Sequence, residues 1–116
     1  MSQKRVLFVF YRPPFGTIHY SEGLRAAIGM TIGRDNHEVD VLYLGDGVYF
    51  ALRDVDRGET LYYLNMLLDE GCLPKVEEES LAHRGIVRAE VAGDMEVVSR
   101  LQALELIAEA DITFDF

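Results

Sequence analysis

One cysteine, Cys72, is all the thiol chemistry the chain carries, and without a second thiol an internal disulfide is excluded. Histidine is nearly as scarce. His19, His37 and His83 are too scattered to make a CxxC or HxxxH pattern, so no metal site is expected. Long apolar runs are missing too: the longest uncharged stretches, residues 13–21 and 60–68, have nine residues each, about half of the ~20 that cross a bilayer. Lys4 and Arg5 precede only six apolar residues before Arg12 interrupts them, which is too short a run for a secretory signal. The expectation is a cytoplasmic protein with no membrane contact.

Positive charge is the next shortage. Lys and Arg number 11 against 20 Asp and Glu, a net charge of −9. Direct nucleic-acid binding, which needs clustered Lys and Arg, is therefore not expected. The imbalance is uneven: Lys4, Arg5, Arg12, Arg25 and Arg34 against Glu22 leave residues 1–34 at +4, so residues 35–116 carry −13. That acidity serves either a basic partner or plain solubility. No GxGxxG or GKS/GKT signature occurs, so no nucleotide cofactor is expected.

What is present is the composition of a folding domain. With 116 residues, 49% hydrophobic and 27% charged, the chain suits one domain spanning residues 1–116. Arg5 to Tyr11 (RVLFVFY) is an almost unbroken apolar run, the pattern of a parallel strand buried on both faces. Pro13 and Pro14 stop it, Phe15-Gly16-Thr17 turns, and Thr17 is placed to cap a helix. Tyr20, Leu24, Ala27, Ile28 and Thr31 recur at helical spacing, predicting a helix over residues 18–34, with Gly33 as its C-cap and a return loop at Asp35-Asn36-His37. Val39 to Leu44 is the second strand, and Val48 to Arg53 a short helix or turn. Glu59 to Glu70, with Leu61, Leu64 and Leu68 and with Tyr63 and Leu67, is a second amphipathic helix ending at Gly71.

Leu73 to Val76 is a weak strand signal that the alternation of elements requires. Glu77 to Gly85 reads as one or two helical turns, Ile86 to Asp94 as irregular, and Met95 to Val98 as another strand. Ser99 to Gln102 has capping-box spacing, starting a helix at Arg100 whose core face would be Leu101, Leu104 and Ala108. A final strand follows from Ile112 to Phe116. The alternation predicts a three-layer α/β/α domain with a mostly parallel five-stranded sheet.

In such a sheet the strands' carboxyl ends carry the site, and the chain places polar groups there. Asp46 lies between Gly45 and Gly47 and would either hold a ligand or a partner's basic group or cap the next helix. Arg12 and the Phe15-Gly16-Thr17 turn could hold a small anion against a helix N-terminus; Tyr11, Tyr20, Tyr43 and Tyr49 near the same edge face a pocket or a neighbour, or belong to the core. Glu77, Glu78 and Ser80 open the short helix; the Glu77 to Glu79 run would either serve as acid or base in a ligand- or partner-binding pocket or sit there because the helix dipole alone favours carboxylates. Cys72 follows a helix C-terminus, with Asp69 and Glu70 nearby and only Lys75 to favour a thiolate, a setting for an inert thiol.

The order of these pieces resembles the DsrE/DsrF family of sulfur-relay proteins. Val6-Leu7-Phe8-Val9-Phe10 leads into Arg12-Pro13-Pro14-Phe15-Gly16-Thr17, then Glu22-Gly23-Leu24-Arg25-Ala26-Ala27 and Asp46-Gly47-Val48-Tyr49. Glu78-Glu79-Ser80-Leu81 with Arg84-Gly85-Ile86, and Val97-Val98-Ser99, extend the likeness over almost the whole chain, and it is nearest the DsrF and TusC branch. The resemblance implies an α/β subunit of a homo-oligomer (trimer or hexamer) or of a hetero-oligomer with sister sulfur-relay subunits, working in tRNA thiolation or sulfur oxidation. In the DsrE and TusD branch the sulfur rides on a cysteine seven residues before the Arg of the Arg-Gly pair; here that position is Glu77. The resemblance therefore implies an accessory subunit, non-catalytic by itself. The alternatives are a persulfide sulfurtransferase acting through Cys72 and a small anionic-ligand module.

Overall fold

Every side chain from Val6 to Phe10 is at most 6% exposed, which a strand achieves only when both of its faces are covered. Strand β1 (Arg5–Phe10) accordingly lies inside the sheet, between β2 (Glu38–Tyr43) and β5 (Ile112–Asp115). Strands β3 (Lys75–Glu77) and β4 (Glu96–Val98) extend it to give the order β4-β3-β2-β1-β5. All four strand pairings are parallel, so the expected mostly parallel sheet is wholly parallel. This computed structural model describes residues 3–16, 18–31 and 37–116. Expectations for the Thr17 cap, and for the chain from Gly33 to Asn36, lie outside them.

Strand order fixes where the helices go. From β1 to β4 the chain steps in one direction, so right-handed crossovers set α1 (His19–Thr31), α2 (Thr60–Asp69) and α3 (Glu78–His83) on one face. The return from β4 to β5 spans the whole sheet and puts α4 (Arg100–Glu109) on the other. Two cores follow. The larger joins Val6, Phe8, Phe10, Val41 and Tyr43 to Tyr20, Leu24, Ala27, Leu64 and Leu67; the smaller joins Leu7, Val9, Leu42 and Val98 to Ala103. An aromatic stack holds the first together at the strands' carboxyl ends: the Phe10 ring lies 4.9 Å from Tyr20, 5.4 Å from Tyr43 and 5.6 Å from Phe116.

Two helical faces differ from the pattern read in sequence. In α2 the expected Leu64 and Leu67 are buried and Tyr63 and Leu68 pack against the core, and the one departure is Leu61, which is 45% exposed. In α4 the buried residue is Ala103, backed by Leu106 and Ala110, while the expected core residues Leu101 and Leu104 are 67% and 54% exposed and Ala108 is exposed as well. The second core is small: the helix meets the strands through Ala103 with Leu106 and Ala110 beside it, and Leu101 and Leu104 point away. The Ser99 capping box is formed, with Gln102 N–H donating to Ser99 Oγ at 3.2 Å and Ser99 N–H to Gln102 Oε1 at 2.9 Å.

Candidate functional site

Because all strands are parallel, their carboxyl ends share one edge, and four connections leave from it: the turn after Phe10, Leu44-Gly45-Asp46, the β3–α3 junction and Ser99-Arg100. Glu77 is the last residue of β3, not the first of a helix, and its side chain turns inward, leaving the residue 5% exposed. Ser80, also buried, donates from Oγ to Glu77 Oε1 at 2.6 Å and accepts the Gly45 N–H at 3.0 Å. From the far side Arg100 reaches Glu77 with Nη2 to Oε1 at 3.3 Å and Nε to Oε2 at 3.4 Å, and touches Glu79 at 3.0 Å. Burial works to raise the Glu77 pKa, but the Ser80 hydrogen bond and the Arg100 guanidinium outweigh it and hold the carboxyl below its ordinary value.

A second pair lies on the other side of Ser80. Arg84 donates to Asp46 Oδ1 from Nε at 3.1 Å and from Nη2 at 2.9 Å, and to the Ser80 carbonyl from Nη1 at 3.1 Å. Asp46 thus accepts an internal arginine rather than capping the 3₁₀ segment Gly45–Ala51, whose start makes no side-chain cap bond. The result is one chain of contacts, Asp46, Arg84, Ser80, Glu77, Arg100, Glu79, tying the β2 exit, α3, β3 and α4 together. Its three carboxylates exceed its two guanidiniums by one charge, and every member is tied to a neighbour.

The two glycines beside Asp46 act differently. Gly45 has φ +51°, a left-handed turn that frees its N–H for Ser80. Gly47 answers to space: a Cβ there would fall 2.0 Å from the Phe10 carbonyl oxygen. That carbonyl accepts Leu44 N–H at 3.0 Å, and Tyr20 Oη donates to the Gly47 carbonyl, so the turn is pressed against β1.

Of the residues singled out in sequence, the structure brings Glu77, Ser80, Asp46 and Gly47 into this assembly. Tyr11, Phe15 and Tyr49 lie at 39%, 52% and 36% exposure, an aromatic rim on the same edge. The Arg12 guanidinium covers the Tyr11 ring at 4.7 Å. Gly16 is exposed in the turn, and Glu78 pairs outward with Arg88 at 3.2 Å. Cys72 is not part of the site. It precedes β3 and shares a hollow with Thr31, His37, Glu38 and Val39, at the strands' amino ends. Burial, with the nearby Asp40 carboxylate, pushes its thiol up to about 11. Arg84 and Arg100 are the members that sequence reading missed as site residues. Arg100 could have been found from topology, since it directly follows the strand end at β4.

Among the described residues, no three of His, Cys, Asp and Glu stand together in a way that could hold a metal ion. Nor is any of their helices long and apolar enough to cross a membrane.

Fold and site together define a three-layer, parallel-sheet α/β protein with a polar assembly at the strands' carboxyl edge. The family profile described as "DsrE/DsrF-like family" matches residues 4–116, and the chain belongs to that family. It is 31% identical over 121 residues to a Protein TusC homolog from Pasteurella multocida (strain Pm70), covering 97% of this chain and 99% of that one. Two solved structures share the fold. The ychN protein from E. coli superposes with a TM-score of 0.82 at 22% identity, over 99% of this chain and 100% of that one. A protein of unknown function from Methanobacterium thermoautotrophicum does so with a TM-score of 0.66 at 13% identity, again over 99% and 100%.

Proposed function

We propose that this chain, acting as one domain over residues 1–116, is a sulfur-relay subunit that carries no sulfur itself. Its role is to dock a cysteine-bearing sister subunit at the carboxyl edge of its sheet. The observation that carries this reading is the occupant of the β3–α3 junction. Where the DsrE-type pattern has a thiol, this chain holds a buried carboxylate clamped by Ser80 and Arg100. An ionised carboxylate so tied is neither nucleophile nor persulfide carrier, and its acceptor capacity is spent internally. What the edge offers to a partner is shape and the rim of Tyr11, Phe15 and Tyr49, backed by the half-exposed Asp46 carboxylate that Arg84 orients. Family membership and the TusC-named relative support a hetero-oligomeric setting. Persulfide transfer through Cys72 is the weaker reading, since a buried thiol with a raised pKa supplies little thiolate at neutral pH.

The test is association. Mixed with a purified DsrE-type subunit that has the carrier cysteine, the full chain is expected to form a complex by isothermal titration. Phe15→Glu, at a half-exposed rim position, should weaken it about ten-fold, the scale of a truncated rim anchor. No heat of binding at micromolar concentrations, or an unchanged affinity in the variant, contradicts the docking edge.

A further inference from the structure

A second group of buried polar atoms, apart from the carboxyl-edge assembly, gathers beside the 3₁₀ segment Gly45–Ala51. Tyr43 ends β2 wholly buried, its ring 5.4 Å from Phe10, 5.8 Å from Tyr20 and 5.7 Å from Phe50. Its hydroxyl makes no hydrogen bond among the described residues, whereas that of Tyr20, in the same stack, donates to the Gly47 carbonyl. Asp94, in the loop before β4, likewise keeps Oδ1 buried and without a hydrogen-bond partner among them. In native folds such atoms are nearly always satisfied, by protein or by ordered water.

Arg57 joins the two. Only 9% of its side chain is exposed, and its guanidinium lies 5.2 Å over the ring of Phe50, the neighbour of Tyr43 in the stack. Nε donates to the Phe50 carbonyl at 3.1 Å and Nη2 to the Leu52 carbonyl at 3.5 Å, so both are spent on the carboxyl end of the 3₁₀ segment. Nη1 faces Asp94 Oδ2 at 3.9 Å, an ion pair too long for a hydrogen bond. Burial pushes the Tyr43 hydroxyl well above its ordinary pKa; Arg57 opposes the rise while Cys72 and Asp94 add to it, so these groups lie close enough to act on one hydroxyl. Three polar atoms from three parts of the chain are left over: a donor on Arg57, an acceptor on Asp94 and the hydroxyl of Tyr43.

We infer that Tyr43, Arg57 and Asp94 form an internal binding site for one resident water molecule. It accepts from Arg57 Nη1 and from Tyr43 Oη and donates to Asp94 Oδ1, the number of bonds that buried waters ordinarily make. The chemistry selects a small neutral molecule that both donates and accepts. An anion would meet the Asp94 carboxylate and a cation the guanidinium; a metal ion, which needs several ligands, would find one carboxylate among the described residues here. Buried waters number one per ~27 residues, so a chain of 116 is expected to hold on the order of four, and two buried atoms without protein partners mark where one belongs. Leaving both dry costs more than ordering one molecule between them. The site also has a place in the fold. Ala92 N–H donates to the Ala51 carbonyl at 2.8 Å and Arg53 N–H to the Glu90 carbonyl at 2.7 Å, and the water on Asp94 adds a further fastening between residues 86–95 and the segment that carries Asp46 and Tyr49. None of this depends on the sulfur-relay reading.

A crystal structure of the full chain at about 1.5 Å resolution tests the site directly, with density for one water expected within about 3.2 Å of both Tyr43 Oη and Asp94 Oδ1. Urea unfolding tests it in solution. Tyr43→Phe keeps the ring stack and removes only the hydroxyl, and should lower the folding equilibrium constant about five-fold; Asp94→Ala should lower it by at least as much. Because both side chains act through one molecule, the double variant should lose about three-fold less than the product of the two single losses. A site without water density, a Tyr43 hydroxyl bonded straight to Asp94, or single losses that simply multiply overturns the inference. Loss of sister-subunit binding with the water and the coupling intact would count against the function proposed above and leave this site standing.

Discussion

Gly47→Ala is expected to cost about 3 kcal/mol of folding stability, a large effect for the addition of one methyl group. The added Cβ would sit 2.0 Å from the carbonyl oxygen and 2.7 Å from the carbonyl carbon of Phe10. Those are backbone atoms of the central strand, which cannot rotate aside as a side chain can. Relief requires the turn to lift, which stretches the Leu44 N–H bond to the Phe10 carbonyl and the Tyr20 bond to the Gly47 carbonyl. Gly93, whose added Cβ would meet nothing within 4 Å, is the control, and Gly93→Ala should stay within about 0.5 kcal/mol of the parent. Urea unfolding reads both; a Gly47→Ala cost below about 1 kcal/mol would mean the turn is not pressed on β1 as described.

The second large effect is a gain of reactivity. Glu77→Cys should create a thiol that alkylates with iodoacetamide at pH 7 at least ten-fold faster than Cys72 does. The two positions differ in what surrounds the sulfur. At residue 77 the Arg100 guanidinium and the Ser80 hydroxyl, which now hold a carboxylate, remain to favour a thiolate. At residue 72 burial has the opposite effect, with Asp40 adding to it and only Lys75 opposing. Peptide mapping after timed alkylation separates the two sites. Equal rates would show that Arg100 and Ser80 do not activate the junction, and the account of that site would fail.

Sequence reading carried far for the strands and less far for the site. RVLFVFY announced a doubly covered strand because burial on two faces leaves no polar residue to interrupt the run, and β1 is that strand. The capping box at Ser99 was legible because its partners are three residues apart. What could not be seen locally was which side of α4 packs: Leu101, Leu104 and Ala108 have helical spacing, but so do Ala103, Leu106 and Ala110. The choice depends on how much room the second sheet face leaves, and on what covers the other flank. The site divided in the same way. Glu77 and Ser80 are local neighbours and were legible; Arg100 meets Glu77 across 23 positions and Arg84 meets Asp46 across 38, and only the parallel topology joins them. Asp46 between two glycines looked like a ligand or capping carboxylate because nothing in its neighbourhood revealed the arginine it holds.

The central claim is that the β3–α3 junction is a carrier site from which the thiol is missing. It is tested most directly by intact mass after exposure to glutathione persulfide. In that exchange a thiolate attacks the outer sulfur of the donor, forms a new sulfur–sulfur bond and releases the glutathione thiolate, so one sulfur atom moves and no oxidant is needed. The parent chain is predicted to keep its unmodified mass, and Glu77→Cys to gain one sulfur atom at the introduced thiol. A parent chain that takes up sulfur at Cys72, or a Glu77→Cys chain that stays bare, would contradict the account.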